Sequence, residues 1–347
     1  MFPKLSATEP LYRSAPTHPF DDPFLAALAA STALQRLKGI GFLGALDYML
    51  YSNGSDAHRR RHNRYDHSVG VAKLAERFAR IRNLGINDRR VLIGAGLLHD
   101  IGHGPLSHSL EPIFKAQFGI NHHLAGHEIL IGRSPLGDEI PAIMRRFGVD
   151  TDEVIAMIEG KHNSQHAFLF SSPINLDTIE GITRSSLFSG INDKNLDAQR
   201  LVELLATSDQ LPTRQIDAFW ALKHRVYNLF IHTREGLLYD GLAQAYMSRE
   251  IEHFAPRDFL KTEPQLRHKE PVLFHLFAWA RASRDRVHRR FTHRFKDLLD
   301  FEFEAPTRSF SVSQQISLQS PQDLWLRYNQ KKSKRRQTIG DLLLAKF

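Results

Sequence analysis

The sequence predicts an all-α fold, on three observations. Apolar residues recur near a 3.6-residue period in one segment after another, as in 66–82, where they fall at 69, 71, 74, 75, 78 and 81. Period-two alternation appears only near the end, in FEFEAPTRSFSVSQ (301–314), where one short β-hairpin is expected. No βαβ rhythm, internal repeat or phosphate-cradling glycine loop breaks the pattern, and GFLG at 41–44 is too generic to count as one.

Taken in order, residues 1–23 carry five prolines and little periodicity, and read as an extended arm. FLAALAASTALQRL (24–37) is Ala/Leu-rich and reads as one helix with Ser31 and Thr32 inside it. Residues 39–50 read as a glycine-interrupted connector and a short element. The 66–82 helix begins at Asp66, a residue type suited to capping it. Residues 88–98 are apolar on most faces and predict a buried helix. Further helices are expected over 124–131, 139–147, 152–159, 176–185 and 198–209, and a long one over 219–247, broken near Gly236. The organisation expected is an arm (1–23), a helical domain (24–245) and a mainly helical C-terminal extension with a basic tail (246–347).

At 347 residues and 42% hydrophobic content, a sizeable core can be buried. No run of eighteen apolar residues exists and MFPKLSATEPLYRSAPTHPF lacks the apolar region of a signal peptide, so no membrane span and a cytoplasmic location are expected. Cysteine is absent. That excludes disulfides, thiolate nucleophiles and thiolate-bound zinc, and leaves His, Asp and Glu to hold any metal. The net charge of +8 favours anionic partners: a nucleotide, nucleic acid or an acidic surface. Two basic clusters concentrate it, His58–Arg64 and Lys331–Arg336. The second reads first as a solvated surface or loose tail; Trp325 and Tyr328 beside it read first as a helix-packing pair, and otherwise could stack on bases.

The histidines carry the chemistry. Of 19, nine fall between His58 and His127. Imidazole is the commonest metal ligand at neutral pH. GLLHDIGHGPLSHSL (96–110) drives an apolar helix into His99-Asp100 and stops it with Gly102-His103-Gly104-Pro105. Adjacent helical residues point about 100° apart, so both reach one ion only near a terminus, which the glycines and proline supply. His67, at the start of one helix, can converge on the pair. Asp177, after Ile174 and Leu176, is the candidate fourth ligand, or else a helix cap.

The order His…His-Asp…Asp, in HNRYDHSVGVAKLAERFA and LIGAGLLHDIGHGPLSHSLEP, resembles the HD-domain metal-dependent phosphohydrolases, and more closely their dGTPase-like deoxynucleoside triphosphate triphosphohydrolase branch. LQRLKGIGFLG (34–44) and NLFIHTREGLLYDGLA (228–243) extend the resemblance over roughly residues 24–245. It implies an HD-domain helical bundle with His67, His99, Asp100 and Asp177 as metal ligands. It implies His103, His108 and His123 as catalytic histidines, and Arg64, Arg234 and His127 near the substrate. It also implies a (deoxy)nucleoside triphosphate substrate, one divalent transition ion (Mn, Fe, Co, Ni or Zn) and a homo-oligomer.

The chain departs from that pattern in two places. His123 is followed by Leu124 where the family has Glu, although His127-Glu128 follows four residues on and the register can be shifted. After Asp177 the family carries a lysine, a tyrosine and an aspartate for phosphates and sugar; here Thr178, Gly181 and Ser185 stand there. Dinuclear HD phosphodiesterases and diiron oxygenases add two histidines between the His-Asp pair and the last aspartate, and His123 or His127 with His162 could hold such a second ion. One ion is favoured. The other readings are a dinuclear phosphodiesterase or oxygenase, or a nucleic-acid-binding regulatory protein on an HD scaffold.

Overall fold

The computed structural model describes residues 19–50, 62–191, 196–207, 213–282, 296–312 and 328–344. Most of the arm and residues 58–61 of the first basic cluster lie outside these, as does Trp325. The described chain is a helical bundle with one antiparallel β-ribbon. Among the described residues, no helix is long and apolar enough to cross a membrane.

The first helical stretch is two helices. α1 (Pro23–Ala30) and α2 (Thr32–Gln35) are separated at Ser31, whose extended backbone and side chain cap the second. Ser31 and Thr32 therefore break the segment rather than sit inside one helix. A 3-10 turn (Arg36–Gly39) and α3 (Asp47–Leu50) follow. α4 (Arg64–Ile81) starts two residues earlier than expected. Its cap is Asn63, whose side chain accepts the Asp66 N–H at 2.8 Å, so Asp66 lies in the first turn. α5 (Ile86–Leu98) buries every residue from Val91 to Leu98.

α6 (Glu111–Phe118), α7 (His122–Leu130), α8 (Glu139–Phe147), α9 (Thr151–Ile158) and α10 (Phe168–Ser171) lead to α11 (Leu176–Ser189) and α12 (Ala198–Thr207). α13 (Thr213–Val226) runs into a π turn (Tyr227–Ile231), and Thr233 then caps α14 (Arg234–Glu250). The break expected near Gly236 thus falls three residues earlier. α15 (Glu263–Lys269) and α16 (Pro271–Ala282) follow.

The expected hairpin is resolved differently. EFEAPTRSFSV is one strand, β1 (Glu302–Val312), and its partner β2 (Tyr328–Thr338) contains the second basic cluster. That cluster is a paired strand, not a loose tail.

Two hydrophobic cores organise the bundle. One gathers residues such as Phe24, Val71, Ile93, Ile101, Ile179 and Phe219. The other gathers Leu106, Leu110, Phe114, the apolar face of α14, Phe277, Phe303 and Ile339. The loop after His99-Asp100 crosses between them, with Ile101 anchored in the first and Leu106 and Leu110 in the second. Full burial of each such side chain contributes about 1.5–3 kcal/mol, so the loop is pinned at both ends.

Candidate active site

His99 ends α5 as its C-cap, and Asp100 begins the turn that follows. Arg36 clamps this turn from behind. Its guanidinium donates to the carbonyls of Ile101 at 2.7 Å and His103 at 2.8 Å. Leu106 and Ser107 have φ of 57° and 45°, left-handed values uncommon for residues with a side chain. The strain is held by burial of Leu106 in the second core and by the hydrogen bonds of the buried Ser107 hydroxyl. Gly102 is required by close approach: a Cβ there would stand 2.0 Å from the His122 carbonyl.

Four candidate ligands from three helices converge. His67 Nε2 lies 3.0 Å from Asp177 Oδ1, 3.2 Å from His99 Nε2 and 3.5 Å from Asp100 Oδ2. His99 Nε2 lies 3.5 Å from Asp100 Oδ1 and 3.7 Å from Asp177 Oδ1. Metal–ligand bonds of about 2.1 Å set ligand–ligand edges of roughly 3.0–3.4 Å, close to these separations. The tautomers fit too. His99 Nδ1 donates to the Gly96 carbonyl at 2.9 Å, and His67 Nδ1 donates to Glu180. With the protons fixed there, both Nε2 lone pairs face one point.

Asp177 is not the cap of α11. Asn175 is, in a capping box with Thr178, which leaves the Asp177 carboxylate on the histidines. The position where the resemblance expects a lysine is thereby used for capping.

Second contacts hold the ligands. Arg64 Nη1 donates to Asp100 Oδ2 at 2.6 Å and its Nε to Ser107 Oγ at 3.0 Å. Ser107 in turn donates to the Gly41 carbonyl at 2.7 Å. Glu180 is gripped by the buried Arg184, with contacts of 2.6–3.1 Å. Gly70 makes room for it, since a Cβ there would stand 2.3 Å from Glu180 Oε1.

The electrostatics follow. Burial pushes the Asp100 carboxyl up, but His99 and Arg64 outweigh it and hold it well below the usual carboxylate range. Burial opposes protonation of His99, yet Asp100 and Asp177 raise its pKa to about 9. His67 is raised likewise, by Glu180 and Asp177 against burial. Such a field favours a cation.

A second cluster adjoins the first: His103, His108, Glu111 and His122. The His103 and His122 rings stack at 4.1 Å and 9°, and His108 stands edge-on to His103 at 4.7 Å. His122 Nδ1 lies 2.5 Å from Glu111 Oε2. Burial, together with Arg64, holds the buried His103 well below the usual histidine range; the exposed His108 is drawn down by the neighbouring His103 and Arg64. The two clusters are consistent with one or two divalent ions.

Both clusters face a cleft of about 620 Å³. Arg64, His99, Asp100, His108, His123 and Asp177 line it, and so do Thr178, Gly181 and Ser185. His127 lines a separate cavity of about 50 Å³, with His99, His122 and His123. Two expected residues are placed elsewhere. Arg234 donates through Nε to the Leu342 carbonyl at 2.5 Å and does not line the cleft. His162 accepts the Ser164 N–H at 3.1 Å and belongs to neither cluster.

The sequence reading missed Glu111, His122, Glu180, Arg184, Lys223 and Asp240. The last two line the cleft from α13 and α14. Glu180 and Arg184 had a signal: they form an i,i+4 charge pair on the helix that presents Asp177.

Residues 64–187 match the HD domain family. The uncharacterized protein YwfO of Bacillus subtilis is 28% identical over 183 residues, 51% of this chain and 39% of its own length. Deoxynucleoside triphosphate triphosphohydrolase SAMHD1 of Gallus gallus is 34% identical over 148 residues, 40% of this chain and 23% of its own. The match therefore spans less than half the length of these relatives. A crystal structure of a phosphohydrolase from Bacteroides thetaiotaomicron has a TM-score of 0.56 at 16% identity, covering 84% of this chain and 76% of that one, which is a likeness of fold. Residues 64–187 carry an HD-domain phosphohydrolase fold, distantly related to that of the deoxynucleoside triphosphate triphosphohydrolases.

Proposed function

We propose that this chain is a metal-dependent phosphohydrolase whose substrate is a nucleotide, in first place a (deoxy)nucleoside triphosphate. The observation that carries the reading is the pair of Nε2 atoms of His67 and His99, 3.2 Å apart with both Nδ1 atoms committed to acceptors. Two lone pairs so placed repel each other unless a cation lies between them, a proton in the metal-free protein, as the raised His99 pKa of about 9 implies, or a metal ion that displaces it. His67, His99, Asp100 and Asp177 would hold one divalent transition ion. Such an ion lowers the pKa of a bound water and polarises a phosphoryl oxygen.

The chain's own residues supply the rest. Arg64 and Glu180 fix the ligands. Lys223, buried against Trp220 and lining the cleft, provides a cation for the phosphates in place of the lysine absent from α11. His108, solvent-exposed at the cleft wall, accepts a proton and returns it to the leaving oxygen, with Glu111 and His122 behind it. Phe42, Phe170 and Tyr227 offer apolar and aromatic surface for a base.

The test is turnover of a nucleotide panel by protein loaded in turn with Mn, Fe, Co, Ni, Zn and Mg. Products are followed by chromatography in air and without oxygen. Phosphate, pyrophosphate or triphosphate release independent of oxygen is expected. Oxygen-dependent turnover, or no turnover of any phosphorylated compound with the metal site full, overturns the reading.

A further inference from the structure

A third cavity, of about 200 Å³, lies between α7 and the 3-10 turn Pro256–Leu260. Its lining is largely apolar, with Leu124 and Ala125 from α7 and Phe259 and Leu260 from the turn. Ala125 and Phe259 belong to the second core, and Leu260 packs against both cores. Leu124 is 46% exposed, although it is a large apolar side chain. The turn is a firm wall: Asp258 accepts the Ala255 N–H at 2.8 Å and pairs with Lys261 at 2.6 Å and Lys269 at 3.1 Å.

Two arginines, Arg133 and Arg257, line the same cavity. The lysines beside Asp258 are committed to it, whereas neither arginine has an ion pair among the described residues. Glu128, the acidic residue on the wall, pairs with neither, so the lining keeps an excess of one positive charge. Ser134 also lines it. This serine is buried and accepts the Leu136 N–H at 3.2 Å, and its hydroxyl donates to no described residue.

The combination selects a ligand class. An apolar body covers Leu124 and removes the floor from water. An acidic head group accepts from the arginines and from the Ser134 hydroxyl, in charge-assisted hydrogen bonds that a neutral or cationic head cannot form. The volume lies below the roughly 300–1,000 Å³ typical of pockets for drug-sized ligands, which suits a small acid and not a nucleotide.

Both walls also stand against the turn that carries His103. The Leu260 carbonyl accepts from Arg36 Nη1 at 3.3 Å, and the same nitrogen donates to the His103 carbonyl at 2.8 Å. A Cβ on Gly104 would stand 2.4 Å from the Phe259 carbonyl, and one on Gly102 would stand 2.3 Å from the Gly126 nitrogen of α7. A ligand that presses α7 away from the 256–260 turn therefore acts on His103 and His122 without entering the cleft.

We propose that this cavity is an effector site for a small amphipathic anion, one acidic group on an apolar body. The proposal does not depend on the chemistry of the metal cleft, and none of the residues varied below lines that cleft.

The experiment is isothermal titration of the full chain with octanoate, 1-octanol and octylamine. Octanoate is expected to bind one to one, about 10-fold more tightly than octanol, as one hydrogen bond to a charged group supplies. Octylamine should not bind. Each CH₂ added from hexanoate to octanoate should tighten binding about 4-fold. Arg133→Gln/Arg257→Gln should bring octanoate to the level of octanol, while Leu124→Asn should weaken both alike. Wild-type NMR serves even if a variant fails to fold. Octanoate should give nuclear Overhauser contacts to the Ala125 methyl and move the ring ¹⁵N signals of His103 and His122. No binding, equal affinity for the three probes, octanoate affinity unchanged in the arginine variant, or a nucleotide that binds more tightly against Ala125 overturns the proposal. So does octanoate binding that leaves both histidine signals in place. Octanoate that binds only by dissociating a dimer makes a second copy the occupant, and overturns it too.

Discussion

His67 and His99 present their Nε2 atoms to each other at 3.2 Å, each held in that tautomer from behind, by Glu180 and by the Gly96 carbonyl. The arrangement is a ligand pair set before the ion arrives. His99→Ala or Asp100→Ala removes one of four donors and a fixed charge, so both are expected to abolish bound transition metal and turnover together. Elemental analysis checks the first and the nucleotide panel the second. A chelator should lower the melting temperature of the wild type, because an ion at a hundred times its dissociation constant adds about 2.7 kcal/mol to stability. It should leave the melting temperature of His99→Ala unchanged. Wild-type protein without metal, and of unaltered stability in chelator, contradicts the site.

Glu180 connects that pair to Arg184, one of the largest fully buried side chains. Glu180→Gln keeps an acceptor for His67 but loses the charge, and metal affinity should fall by about 10- to 100-fold, as read by competition with a chromogenic chelator. Arg184→Met leaves a buried carboxylate uncompensated and should cost about 3–5 kcal/mol in denaturant unfolding. Adding Glu180→Gln to Arg184→Met should recover part of that loss. A double variant less stable than Arg184→Met alone would show that the pair's charge is not the source of the cost.

How far the sequence reaches is visible at these residues. Helices follow from local spacing, and 139–147 coincides with α8 at both ends. Caps are less legible: Asn63 and Asp66 are both capping types, and only the backbone leaving the helix at Asn63 decides between them. The ribbon's second strand is hidden because YNQKKSKRRQT has the composition of a solvated tail, while its pairing partner lies some twenty residues earlier. Within the site, His99 and Asp100 announce themselves by adjacency and by the glycines that follow. Glu111, His122 and Asp240 are ordinary residues in ordinary segments, and only the packing of α6, α7 and α14 brings His122 and Asp240 to the cleft and Glu111 against His122.

Asp240 gives a pH-dependent test of stability. Burial raises its carboxyl pKa to about 6, and the Ser109 hydroxyl donates to it at 2.5 Å. The unfolded value is about 3.9. Between these values the folded state binds the extra proton, so this group's contribution declines as pH rises through the window, and above about 6 the charged form is a constant cost. Asp240→Asn keeps an acceptor for Ser109 and removes that cost. With the side chain half-buried and its cleft side wet, the gain at pH 7.5 should be on the order of 1 kcal/mol, less than the unscreened shift implies. It should vanish near pH 4. A gain independent of pH, or a loss at pH 7.5, means that the carboxylate is stabilised as an anion in the free protein.

Gly181 stands in the middle of α11, where glycine costs about 1 kcal/mol relative to alanine. Packing does not require it. A Cβ there would meet Phe42 Cζ at 3.4 Å, His67 Cε1 at 3.8 Å and Asp177 Oδ1 at 3.9 Å, all ordinary contacts. What the missing side chain leaves open is cleft volume beside the candidate ligands, at the position where the resemblance expects a tyrosine against the sugar. If substrate occupies that space, Gly181→Ala should be more stable than the wild type by about 0.5–1 kcal/mol with unchanged metal content, yet show a raised KM for the preferred nucleotide. Larger side chains at 181 should narrow the range of nucleotides accepted, the bulkiest sugars being lost first. Thermal melts, metal analysis and steady-state kinetics on the same preparations separate the effects. A destabilised Gly181→Ala would show that packing does demand the glycine, and a stabilised variant with wild-type kinetics on every substrate would show that the space is not used.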